Sequence, residues 1–420
     1  MEQRLAIQVS ESLRKGIPPE RGADLYSVGN EKLIEGIKKF HLSGIEERGI
    51  IRFLSGSWGA GKTHFFRLLR EVAFQNNCLV SNVQLNVDDA ALNKFERIFY
   101  SVIRNISTPF YFCESQTYEA APFGRVLQES LVYLATGIRA VNGESSYEDY
   151  VKAREALMVE HSIDIDFKKM IQKYWETFLP ESPDPALQEQ ARAEILQWFS
   201  GEGSLAMYRK RFEVNKIVSK DNAKLMLQSL AGFVRLSGYK GLFILFDEAE
   251  QAYSIMRKSA LRDAQNNLLS LINNIESLNG LFLIYATTPD FYHDPKHGIE
   301  TYGALAQRIG KPEQRKPRAL DIVWNFDELV TDLFDYQSAA NKIRNVYADA
   351  YPEVASALPT EAKVKTFVEE LFEMHPPSSG VRFWRVLVTA LITHFDDHCE
   401  GEIRPTEEIY GDVMTRLPEE

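Results

Sequence analysis

At 420 residues the chain is too long for one ordinary core, so length alone favours two or three packed units. Hydrophobic residues make up 45% and charged residues 25%, an ordinary globular balance, and no run approaches the roughly eighteen apolar residues of a membrane span. A formal net charge of -11 argues against a chain coated in nucleic acid, although a local basic face can sit inside an acidic average, so DNA contact stays open.

The start, "MEQRLAIQVSESLRKG", breaks its apolar positions with Glu2, Arg4, Glu11 and Arg14, so it lacks the continuous core of a secretory signal and a cytoplasmic location follows. Cys78, Cys113 and Cys399 are scattered and form no CxxC pair, which reads as reduced thiols. His398 and Cys399 are adjacent and point apart, so they make no metal pair.

In chain order, residues 3–15 place Leu5, Ile7, Ser10 and Leu13 on one helical face, and Gly16, Pro18 and Pro19 end that helix. Asn30 caps a second helix, with Leu33, Ile34, Ile37 and Phe40 at helical spacing. "GIIRFLSG" is a buried strand leading into a glycine-rich loop; a helix over 64–76, a strand "CLVSNVQLNV" and a helix "ALNKFERIFYSVIRNI" follow. From 106 to 215 the pattern is all-helical, with breaks at "NGESS" and "PESPDP", which predicts an inserted helical subdomain. Strands resume with "GLFILFDEAE", "GLFLIYATTPD" and "ALDIVWNF", and strands alternating with helices predict a parallel sheet covered on both faces. After Phe326 only helical periodicity remains. The expected organisation is therefore 1–48 as N-terminal helices, 49–105 and 216–326 as two parts of a sheet domain, 106–215 as the insertion and 327–420 as a helical lid.

Gly56-Ser57-Trp58-Gly59-Ala60-Gly61-Lys62-Thr63 fits the phosphate-loop pattern GxxxxGK[ST] at every fixed position, between an expected strand and an expected helix. Glycines let successive backbone N–H groups turn toward one anion, and the helix beginning near Gly61 adds its positive dipole end. Lys62 is expected to reach the β- and γ-phosphates of ATP, and Thr63 to ligate Mg2+. Five apolar residues, Leu242 to Phe246, predict a central strand that delivers Asp247 at its carboxyl end, where ligands of open α/β sheets gather. Asp247 is expected to hold magnesium, and the neighbouring Glu248 to polarise an attacking water, which makes this a hydrolase rather than a nucleotide kinase. Thr287, at the end of "LFLIYATTP", can orient that water. Beyond it Arg308, Arg315 and Arg318 are candidates for an arginine supplied to a neighbouring subunit's nucleotide, with Arg308 favoured. Arg382, after "PPSSG", opens a lid helix from which it can report the nucleotide's state.

These residues together resemble the AAA+ superfamily: a phosphate loop, an Asp-Glu strand, a polar strand end, an arginine beyond it and a helical lid carrying its own arginine. That resemblance implies a P-loop NTPase sheet in the order 5-1-4-3-2. More narrowly, "GIPPERGADLYSVGNEKLI", "GSWGAGKTHFFRLLREVA" and "GYKGLFILFDEAE" look like the ATP-binding proteins of bacterial BREX (bacteriophage exclusion) systems, of the BrxD type, which are related to origin-recognition and helicase-loader ATPases. In that light Tyr26, Val28 and Gly29 border the adenine, and His64 joins the loop residues in holding the nucleotide. Trp58 stands where relatives often carry tyrosine. Origin-recognition proteins add a winged helix after the lid, and residues 327–420 are expected to suffice for the lid alone. Basic clusters that could meet DNA instead are Lys168, Lys169 and Lys173, then Arg209, Lys210 and Arg211, then Lys311 to Arg318; such a cluster is more often a solvated face than a phosphate track. The expectation is a cytoplasmic ATPase of anti-phage defence that forms a homo-oligomer and couples ATP to double-stranded DNA or to a helicase-like or methyltransferase-associated defence protein, with no membrane contact. The alternatives are a nucleotide-gated scaffold with little turnover and a signalling ATPase.

Overall fold

The computed structural model describes residues 2–86, 91–141, 145–180, 184–247, 257–330, 332–376 and 382–417. It is a mixed α/β protein built on a six-stranded sheet with many helices. The strands are β1 (Ile50–Ser55), β2 (Leu79–Gln84), β3 (Ile106–Ser107), β4 (Leu242–Asp247), β5 (Leu281–Thr287) and β6 (Val323–Asn325). Five of them lie within the apolar runs read from the sequence. In β4 and β5 every residue from Leu242 to Phe246 and from Leu281 to Thr287 is buried, the continuous apolar pattern of strands covered on both faces.

The sheet order is β3-β2-β4-β5-β1-β6, which differs from the expected five-stranded 5-1-4-3-2. The difference is β3. The helix expected through Ile106 ends earlier, at Phe95–Arg104, where the Asn105 side chain donates back to the Ser101 carbonyl at 2.8 Å. Ile106 and Ser107 then pair antiparallel with Ser81 and Val80, covering an edge of β2 that would otherwise present unpaired backbone groups. With β3 set aside, the other five strands, counted in chain order, read 5-1-4-3-2 from the β6 edge. β2, β4 and β5 are parallel, with Leu79 opposite Leu242 and Leu242 opposite Leu281.

The chain divides into two compact units. One comprises residues 39–53 and 72–310 and carries β2 to β5 with the helices between them. Apart from β3, the regular elements described between 106 and 215 are helices: Pro109–Ser115, Phe123–Thr136, Tyr147–Val159, Ile165–Glu176, Pro185–Ser200 and Leu205–Phe212. Side chains that compete with the backbone in helix interiors sit here as N-caps: Thr108, Ser146, Asp164, Asp184 and Ser204 each accept from an amide of the first turn. Trp175 and Trp198 are fully buried, and their indole N–H groups donate to the carbonyls of Leu127 at 2.7 Å and Lys216 at 3.0 Å.

The other unit joins residues 1–38, 54–71 and 311–420. The N-terminal helix Gln3–Arg14 buries Ala6, Val9, Ser10 and Leu13, whereas Ile7, expected on the buried face, is 36% exposed. Spacings of three, four and seven put 6, 9, 10 and 13 on one stripe, and Ile7 falls off it. Ala6, Val9 and Leu13 share one apolar cluster with Ile343 and Val346 of helix Leu333–Ala350, Val364 and Phe367 of Glu361–Met374, Leu387 and Leu391 of Phe383–Glu400, and Ile409 of Thr406–Arg416. At the rim Arg14 bridges to Asp396 at 2.7 Å, and the Tyr347 hydroxyl donates to the same carboxylate at 2.6 Å.

Within that cluster the His394 ring stacks on Phe367 at 4.0 Å between centroids, with His398 at 4.3 Å and Lys363 contributing like charge. Burial, with the charges of His398 and Lys363, lowers its pKa to about 4. A histidine lowered from 6.5 to about 4 binds fewer protons folded than unfolded, so its contribution is complete above about pH 6.5 and is lost as pH falls toward about 4. His394→Phe keeps the ring stack and removes the proton site. Across that window the variant is expected to lose less stability than the parent in denaturant melts, by up to about 3 kcal/mol. Parallel loss in both chains would show that His394 does not set the acid limit.

Candidate functional site

β1 ends at Ser55, and the chain turns through Gly56–Gly61 into the helix Lys62–Gln75. Two positive φ angles make that turn, +74° at Gly59 and +90° at Gly61, a region side-chain-bearing residues rarely adopt. A Cβ at Gly61 would meet nothing, so φ alone requires glycine there; a Cβ on Gly59 would lie 2.9 Å from Arg382 Cβ. The Phe65 amide donates to the Gly61 carbonyl at 2.9 Å, which starts the helix at the loop's last glycine and directs its first-turn N–H groups out of its end. Lys62 is 9% exposed, and its ammonium donates to the carbonyls of Gly56 at 2.6 Å and Ser57 at 3.2 Å, with the Trp58 ring 5.6 Å away. Its charge is therefore held inside the loop. Thr63 is exposed at the head of the helix, and Trp58 is 46% exposed.

A residue not singled out in the sequence completes this arrangement. Asp327 sits in the 3-10 turn Phe326–Glu328 that follows β6, its amide capped by the Asn325 side chain at 3.2 Å. Its carboxylate accepts from the Ser57 amide at 3.1 and 3.2 Å and from the Ser57 hydroxyl at 3.0 Å. Arg382, the N-cap of helix Phe383–Glu400, donates to the same carboxylate at 2.8 Å. The available signal was an acidic residue just past the last strand, in "WNFDEL", at the edge where α/β ligands collect. Gly56 to Ala60, Asp327 and Arg382 thus form one cluster, and a cavity of about 620 Å³ opens beside it, lined by Ser57 to Ala60 and Arg382 and by apolar residues that include Val330, Tyr336, Phe383 and Trp384.

Tyr26 and His64 also meet. The Tyr26 hydroxyl is 3.1 Å from His64 Nδ1, and the rings lie 4.9 Å apart. Burial and the nearby Arg67 charge push the His64 pKa down to about 4, so the ring is neutral at physiological pH, while burial raises the Tyr26 phenol. Val28 is buried, and Gly29, at φ +75°, packs where a Cβ would come within 2.8 Å of Val330. Deeper in the same helix Arg67 and Arg70 both pair with Glu20, at 2.7 and 2.8 Å. Burial, together with the Asp24 charge, raises the carboxyl of Glu71 to about 7.

Asp247, Thr287 and Arg308 belong to the unit of residues 39–53 and 72–310. Asp247 and Thr287 end the neighbouring parallel strands β4 and β5 on the same carboxyl edge. Thr287 is fully buried and donates to the Tyr292 hydroxyl at 3.2 Å. Glu248 and Gly380 lie outside the described residues. Arg308, in helix Gly303–Ile309, is exposed and carries no ion pair among the described residues. In the unit that holds the loop, Arg315 is held by both oxygens of Asp321 at 2.9 Å and by Glu313 at 2.6 Å, which commits its guanidinium locally. No helix among the described residues is long and apolar enough to cross a membrane.

Compared with known families, residues 1–408 match the family described as BREX system ATP-binding protein BrxC/D. A search of curated proteins returned no match.

Proposed function

The chain belongs to the BREX system ATP-binding protein BrxC/D family and so has a role in a BREX defence system, and on that premise we propose that it is a cytoplasmic AAA+ ATPase that binds Mg-ATP, hydrolyses it and passes the nucleotide state to DNA or to a partner protein. The observation that carries the reading is the Asp327 bridge, which links the phosphate loop at Ser57 to Arg382 at the head of a C-terminal helix. A contact of that kind lets a change at the loop be felt by the helices.

The loop suits a polyphosphate. Its glycines at 59 and 61 supply a turn whose amides can face one anion, and the head of the following helix favours negative charge. Lys62, now turned onto loop carbonyls, carries the cation that β- and γ-phosphates would attract. Tyr26, Val28 and His64 are the expected neighbours of the base. Thr63 and Asp247 are the expected holders of magnesium, which when bound neutralises charge on the phosphates. Glu248 is the expected base that takes a proton from the attacking water, and Thr287 the residue that orients it. Arg308, exposed and without an ion pair among the described residues, is the expected contribution to a neighbour's nucleotide.

Two measurements test this. Phosphate release with and without double-stranded DNA is expected to exceed background; near-zero turnover in both would leave a nucleotide-gated scaffold. Light scattering on the full chain is expected to show assembly when ATP is added. Arg308→Ala should keep ATP binding in the separated chain and lower turnover in the assembly by about a thousandfold. A chain that stays monomeric with ATP removes the role in trans.

A further inference from the structure

We propose, resting on the reading that ATP binds at the phosphate loop, that Asp327 is a positioning residue that brackets the loop through Ser57 and holds the Arg382 guanidinium until a γ-phosphate takes it. Asp327 thereby sets how far the site prefers ATP to ADP.

The two halves of the bracket differ in how readily they exchange. Toward the loop, both carboxylate oxygens accept from the Ser57 amide, and Oδ2 also accepts from its hydroxyl. Ser57 follows the first glycine, so this grip leaves the amides from Gly59 onward to face an anion. The carboxylate is itself held, because Asn325 caps the Asp327 amide and donates its own side-chain N–H to the Glu313 carbonyl at 2.8 Å. Toward the helix there is one contact among the described residues, Arg382 Nη2 to Oδ1 at 2.8 Å, from a side chain 45% exposed. The Arg382 stem meanwhile lies against the loop, since its Cβ and Cγ sit 2.9 and 3.1 Å from where a Gly59 Cβ would be. The guanidinium can therefore change anions while its stem stays in position.

Two anions then compete for one cation. A terminal phosphate offers more charge and more acceptor oxygens than a carboxylate and takes a guanidinium in paired hydrogen bonds. It must first break the existing pair, and that cost falls on ATP alone because ADP has no γ-phosphate. By linkage, whatever the pair costs ATP binding, ATP binding costs the pair.

Asp327→Asn separates the two halves, because the amide oxygen can still accept from Ser57 while the charge that holds Arg382 is gone. Titrating the full chain with ATP and with ADP in magnesium, we expect Asp327→Asn to bind ATP about twofold to fivefold more tightly than the parent, the range of an exposed ion pair, with ADP unchanged. Asp327→Ala, which also releases the loop, should weaken both nucleotides, and adding Arg382→Ala to Asp327→Asn should erase the gain for ATP. Equal tightening of ATP and ADP would mean only that a negative charge had left the site, and would overturn the assignment, as would unchanged ATP affinity. Should Asp327→Asn not fold, Arg382→Gln breaks the same pair from the other side: it is expected to weaken ATP and spare ADP, and equal loss for both overturns the proposal. A parent chain that binds neither nucleotide sinks the ATP-site reading itself, whereas a parent that binds ATP beside an unchanged Asp327→Asn sinks this assignment alone.

Discussion

Lys62→Ala is expected to lose ATP binding and, with it, all hydrolysis. Lys62 is almost fully buried and its ammonium lies 2.6 and 3.2 Å from two loop carbonyls, so it is already inside the ring of backbone that would surround the phosphates. A hydrogen bond to a charged partner contributes about 1.5–3 kcal/mol, and losing one costs roughly tenfold to more than a hundredfold in affinity. Lys62 offers several such donors to two phosphates, so the loss should lie at or above the upper end. Alanine is a good helix former at the first position of Lys62–Gln75, and the fold should persist. Calorimetric titration with ATP, beside a thermal melt, reads both. Parent-like affinity in a folded Lys62→Ala chain would mean that the loop is not the nucleotide site.

Glu248→Gln should have the opposite profile, keeping ATP and losing turnover by about a hundredfold to ten-thousandfold, the range a positioned general base supplies. The amide has nearly the shape of the carboxylate and cannot take a proton from water. Glu248 follows in sequence Asp247, the last residue of β4, whose carboxyl end lies beside that of β5, where Thr287 emerges. Single-turnover phosphate release and nucleotide titration on the same preparation separate the two effects. If Glu248→Gln hydrolyses ATP normally, the base lies elsewhere, and the loop prediction for Lys62 is untouched.

How far the site could be read differs residue by residue. The loop was legible because its chemistry is local: glycines at fixed spacing, then Lys62 and Thr63, all within one turn of chain. β4 and β5 were legible because a strand buried on both faces needs an unbroken apolar run, and few alternatives satisfy "LFILF". β3 was not, since two residues continuing an amphipathic helix carry no periodicity of their own, and only the open edge of β2 makes them a strand. The buried face of the first helix was half read. Leu5 packs only partly buried against the helical cluster and Ile7 is exposed, while the smaller Ala6 and Val9 are fully buried in it. Asp327 went unread because an acid in "NFDEL" is indistinguishable from a solvated turn until Ser57 and Arg382 arrive beside it from distant parts of the chain.

By itself the sequence determined what depends on neighbours in the chain: a glycine-rich loop of phosphate-loop pattern between a strand and a helix, a mostly apolar set of sheet strands, and Asp247 and Thr287 at the carboxyl ends of two of them. Tertiary structure alone decided the partnerships. It put the N-terminal helix into one core with the C-terminal helices, paired Tyr26 with a neutral His64, and closed Ser57, Asp327 and Arg382 into a single bridge. The reason is physical: covalent spacing dictates which groups can turn toward a common point within a few residues, whereas a contact across hundreds of residues depends on how apolar faces pack, and that packing is a property of the whole fold.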